Sequence, residues 1–195
     1  MEFWYKAVER FGPYDGEKWT NYIAWSKLFH LAELISLDGI LCPSVIDADF
    51  ERDDAYLAWE DYISDLYTSL DYLQEKLATV KPSSYRILSV VKEPLEVCEK
   101  MQQANWRFIG YDLIETGGDV SALTDCGGFD ETFLPSDLNE HGLIQTHEKA
   151  YSIKEALFRN NPMEDHADCY VWAIWDVGSE ASSVMAYSKV NVSSN

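Results

Sequence analysis

Apolar residues recur every three or four positions through the first eighty residues and in shorter, denser runs afterwards. Trp19, Tyr22, Ile23, Leu31, Leu34 and Ile35 fall on one stripe of a 3.6-residue period, which predicts a helix over residues 16–39 closed by Gly39. A turn at Cys42–Val45 follows. Trp59, Tyr62, Ile63, Leu66, Leu70, Leu73 and Leu77 then repeat the same spacing and predict a second long helix over residues 49–76. Asp47 or Asp49 would cap it, and its early carboxylates suit the positive end of the helix dipole. Asp54, Asp61, Asp65 and Tyr72 share a different face of that helix. Residues 1–11 read equally as a strand or a helix.

The pattern changes at residues 81–85, Lys-Pro-Ser-Ser-Tyr. Residues 85–91 form a short apolar run rich in branched side chains, a strand signal. Residues 93–105 suit a helix with Pro94 in its first turn. Residues 106–115 alternate sides as a strand does, and residues 116–145 are a long, glycine-bearing turn region. A helix is expected over residues 146–161, with Thr146 as its cap and Pro162 beyond its end. Residues 169–177 are apolar on both faces, as a central strand would be, and a last strand is expected over residues 182–192. The strand–helix–strand order after residue 85 allows either a βαβ unit or an antiparallel meander. The expected fold is α+β: a helical N-terminal layer packed on a small mixed β-sheet. One domain spans residues 1–195, helical over about 1–80 and α/β over about 81–195.

Charge narrows the function. Thirty-four acidic residues stand against fifteen basic ones, a net charge of −19. Nucleic acid and anionic membranes are poor direct ligands for such a surface, because both need Lys and Arg to neutralise phosphates. A basic protein partner is favoured, since a strong acidic field accelerates its encounter. The excess is concentrated: residues 47–76 hold ten acidic residues and two basic ones, with Tyr56, Tyr62, Tyr67 and Tyr72 among them. A second acidic stretch holds Asp130, Glu131, Asp137 and Glu140 with no basic residue. The N-terminus lacks a signal-peptide pattern, and no window approaches the roughly 18 apolar residues of a membrane span. Four widely spaced cysteines without a CxxC pair read as reduced thiols. A cytoplasmic location is expected.

Catalytic signals are sparse. Cys126, followed by two glycines, could sit in a tight turn whose amides stabilise an oxyanion, with His141, His147 or His166 as base and Asp168 or Asp176 orienting it. Almost any chain with four Cys and four His supplies such an order. His166, Asp168 and Cys169 bring metal-ligand types together, with His141, His147 or Cys126 as further ligands, but no pair has the spacing of a zinc module. No phosphate-binding loop is present. No metal or cofactor is therefore expected. His30 reads as a structural or surface residue, and Trp172 and Trp175 as core.

Tyrosine supplies large, rigid contact area with a polar tip, and carboxylates at regular spacing imitate a phosphate array. An acidic, Tyr-bearing surface thus fits the basic cleft of a nucleic-acid-binding protein. Segments FIGYDLIE, SALTDCGGF, LNEHGLI and HADCYVWAIW, within residues 108–175, resemble small acidic bacterial immunity proteins of toxin–immunity systems in contact-dependent competition. The resemblance implies an inhibitor that binds a basic cognate toxin one-to-one, a nuclease effector above all, and no catalysis of its own. From the charge pattern, the expected contact residues are Asp54, Tyr56, Asp61, Asp65, Tyr72, Asp130, Glu131 and Asp137. The alternative is a small cysteine hydrolase centred on Cys126 and a downstream histidine.

Overall fold

A computed structural model describes residues 2–46, 53–58, 63, 65–101, 106–125, 134–160, 162 and 165–178. Among them, four strands form one sheet: β1 (Trp4–Glu9), β2 (Tyr85–Lys92), β3 (Arg107–Glu115) and β4 (Cys169–Asp176). Their order is β1-β2-β4-β3, and every pairing is antiparallel. Three α-helices accompany it: α1 (Glu17–Ser26), α2 (Leu70–Lys76) and α3 (His147–Asn160). The α+β class holds. The sheet is antiparallel rather than mixed, and β4 lies between β2 and β3, so neither a meander of neighbouring strands nor an adjacent βαβ pair describes the connection after residue 85. The ambiguous N-terminal segment is strand β1, ahead of the helical layer. β4, apolar on both faces, lies inside the sheet with Val171 to Trp175 fully buried.

Both long helices expected in the N-terminal half are shorter in the structure. α1 stops at Ser26 because Lys27 adopts a left-handed conformation (φ 62°), its N–H donating to the carbonyl of Ile23. The apolar residues beyond it keep their burial without the helix. Leu28, Leu31, Leu34, Ile35 and Leu37 are all buried along an irregular segment. Other parts of the chain satisfy that segment's backbone: Leu34 N donates to Phe11 O, Ile35 N to His141 O, and Gly39 N to Asp119 O.

The acidic stretch divides similarly. Asp54–Tyr56 is one 3-10 turn, capped by the Asp53 carboxylate, which accepts from Ala55 N at 3.0 Å. Leu57 then pairs with Tyr67, and Tyr67 with Tyr5 of β1, so the chain extends the β1 edge of the sheet. Only at Ser69, whose hydroxyl accepts from Tyr72 N at 3.2 Å, does α2 begin. Apolar spacing of three and four suits this arrangement as well as a helix, because Ile63, Leu66, Tyr67, Leu73 and Leu77 are all buried. The helix expected at 93–105 is reduced, among the described residues, to a 3-10 turn at Cys98–Lys100, entered through Glu93 at φ 44°. The strand expected over residues 182–192 lies outside the described residues.

Inside the molecule sits a polar cluster. Asp112 of β3 is fully buried and accepts four hydrogen bonds. Ser36 Oγ (2.6 Å) and Leu37 N (3.1 Å) donate to Oδ2, while Ser121 Oγ (2.7 Å) and Leu113 N (2.9 Å) donate to Oδ1. Asp38 accepts from Ile40, Leu41 and Ser121 N–H groups, each at 2.8 Å. Burial pushes both carboxyls above their usual range, against the pull of these donors. Lys6 is buried beside them, its Nζ 3.4 Å from Leu37 O, and burial lowers its pKa.

Candidate partner-binding surface

The acidic stretch places its tyrosines together. Tyr56 and Tyr72 stack face to face, centroids 4.3 Å apart and planes within 12°. Three hydrogen bonds hold the stack. Asp53 N donates to Tyr72 Oη at 2.7 Å, and Thr68 donates to Tyr56 O through both N (2.8 Å) and Oγ1 (3.2 Å). Tyr72 is half-buried, with the Lys76 ammonium 5.5 Å from its ring centroid. Tyr56 remains 39 % exposed. Asp53 and Asp54 beside it, and Asp71 and Glu75 on α2, are all exposed. The result is a rigid aromatic ledge in a strongly acidic segment, fixed to the β1 edge.

This groups three of the expected contact residues, Asp54, Tyr56 and Tyr72, though by a turn packing on a short helix rather than along one helix face. Asp65 differs. It occupies a turn at φ 62°, half-buried, where its charge raises the proton affinity of the buried Lys6. Asp137 is also committed: it accepts from Leu134 N at 2.9 Å and pairs with Lys149 of α3 at 3.0 Å. The acidic loop thus meets a basic residue from elsewhere in the chain, which sequence distance concealed. Asp61, Asp130 and Glu131 lie outside the described residues. Asp53, which both caps the turn and binds Tyr72, was not singled out from the sequence; an Asp immediately before a Tyr-bearing turn was the available signal.

A second charged group sits at the Arg86 end of β2. Glu33 receives both Arg10 (2.8 and 2.9 Å) and Arg86 (3.0 and 2.6 Å), and Tyr14 donates to it at 3.0 Å. Arg86 also reaches Asp176 at 2.6 Å, with Arg107 3.7 Å away on the other side. Burial would raise Glu33, but the hydrogen bonds from Arg10 and Arg86 outweigh it and hold the carboxyl at about 2. His141 is buried nearby with neither ring nitrogen hydrogen-bonded, and burial with the charge of Arg107 lowers its pKa. These charges are mutually satisfied across five segments, which marks them as structural.

Among the described residues, the metal candidates do not gather. Cys126 lies outside the described residues. His147 Nε2 is bound to Pro94 O at 2.9 Å, and His166 Nδ1 to the Glu115 carboxylate. Asp168 instead lines an open cleft of about 500 Å³ with Phe158 and Ala167, while Cys169 is buried in β4. Cys42, Cys98 and Cys169 are free and buried. Burial pushes the Cys98 thiol up to about 11 and that of Cys169 to about 12, so neither is a nucleophile at neutral pH. Among the described residues, no three His, Cys, Asp or Glu side chains gather as metal ligands.

No family model, curated protein or solved structure matches this chain. The functional reading therefore rests on the geometry above. Among the described residues, no helix is long and apolar enough to cross a membrane.

Proposed function

We propose that this protein is an inhibitor of the immunity type. It binds a basic protein toxin, a nuclease effector above all, one-to-one in the cytoplasm and neutralises it through the acidic surface around Tyr56 and Tyr72. The observation that carries the reading is the Tyr56–Tyr72 stack, an ordered aromatic anchor held open in the most acidic segment of a chain with net charge −19. Such anchors supply binding energy at low entropic cost, because the rings are already fixed. The surrounding carboxylates steer a Lys/Arg-rich partner and raise its association rate.

Titration against Lys/Arg-rich nuclease domains tests the reading. A cognate domain loses activity at equimolar inhibitor and forms a one-to-one complex. Tyr56→Ala then weakens binding by at least about 2 kcal/mol, mainly through faster dissociation. Asp53→Lys with Asp54→Lys slows association and flattens its salt dependence. If that double reversal leaves affinity and salt dependence untouched, the surface is a solvated face and the proposal fails.

A further inference from the structure

We infer that the exposed side of Tyr56 is a receptor for a guanidinium group, so that the partner docks through an arginine rather than a lysine. This rests on the acidic-surface reading above and names the chemistry at its centre.

The ring of Tyr56 cannot fold away. Its inner side is stacked on Tyr72 at 4.3 Å, and its backbone carbonyl is held twice by Thr68. Tyr72 is itself fixed by the hydrogen bond from Asp53 N and flanked by the Lys76 ammonium. Tyr56 as a whole residue is 39 % exposed, with one side of its ring taken up by Tyr72. Asp53 and Asp54, both exposed, belong to the same turn. Asp53 spends Oδ1 on Ala55 N, and no hydrogen bond within the described residues engages Oδ2.

A flat cation-attracting ring in the same turn as two exposed carboxylates matches one side chain best. Guanidinium is planar and weakly hydrated, stacks on aromatic rings, and donates a fork of N–H groups that a carboxylate accepts at the ring edge. An ammonium gains only the point-charge attraction and keeps its hydration shell. The surrounding excess of acid supplies long-range attraction to either cation. Discrimination between them comes from the ring.

Two synthetic peptides of equal length and charge, one arginine-rich and one lysine-rich, decide the matter. Binding is measured by titration calorimetry at two ionic strengths, with ring-proton shifts of Tyr56 followed by NMR. The arginine peptide binds about threefold to tenfold more tightly than the lysine peptide and shifts the Tyr56 ring. Tyr56→Phe keeps that preference, while Tyr56→Leu brings both peptides to the same affinity. Asp53→Asn with Asp54→Asn weakens both peptides. Equal affinities in the native protein, or a preference that survives Tyr56→Leu, overturn the inference but leave the acidic docking surface intact. Absence of salt-sensitive binding by either peptide overturns both.

Discussion

At the scale of single residues, burial decides which groups are available for chemistry and which serve the fold. Asp112→Ala would strand two serine hydroxyls and the N–H groups of Leu37 and Leu113 inside the protein. The expected loss is about 3 kcal/mol or more in urea unfolding, since each orphaned buried donor costs on the order of 1–3 kcal/mol. The three described thiols are expected to resist iodoacetamide at neutral pH until the chain unfolds, which peptide mapping after alkylation would show. Two groups give the pH dependence a definite sign. His141 is depressed in the folded state, so its contribution is intact above its unfolded value near 6.5 and fades as pH falls through its lower folded value. Glu33 is depressed from 4.5 to about 2, so its contribution is lost across that lower window. Unfolding free energies of His141→Gln and Glu33→Gln, each referred to the parent at every pH, separate the two. The first loses the dependence below 6.5 and the second the dependence between 4.5 and 2.

At the scale of elements, the strands were more legible than the helices. β2, β3 and β4 fall within a residue or two of where branched, alternating or doubly apolar runs place them, because strand burial follows directly from side-chain alternation. α3 was legible from its caps. The N-terminal helices were overestimated because a three-to-four spacing of apolar residues fixes burial without fixing the backbone. Lys27 at positive φ and Ser69 as a cap are what end or restart the helix, and neither breaks the hydrophobic pattern. The pairing of Asp137 with Lys149, and of Glu33 with Arg10 and Arg86, joins residues that no local spacing relates. In β3 the register shifts between Phe108 and Gly110, and Gly110 stands at φ 146° with Leu143 Cβ 2.6 Å from where its own Cβ would lie. Gly110→Ala is therefore expected to lower the thermal midpoint by several degrees for each kcal/mol of strain, measured by calorimetry. Ser69→Ala removes the α2 cap and is expected to cost about 1 kcal/mol.

At the scale of the whole molecule, the order β1-β2-β4-β3 separates neighbours in space from neighbours in sequence. β2 and β3 are consecutive strands of the chain, yet β4 lies between them and, among the described residues, is the one strand that pairs with β3. During synthesis, β3 is completed more than fifty residues before Cys169, the first residue of its partner, is made. Until then a growing chain holds a β1–β2 pair and an unmatched third strand, its backbone donors and acceptors open to other chains. Completion of the sheet thus waits for β4, and a chain truncated before residue 169 is expected to aggregate rather than fold. If the inhibitor reading holds, the cell gains no protection from a nascent copy. Protection begins only after β4 has been made and has closed the sheet.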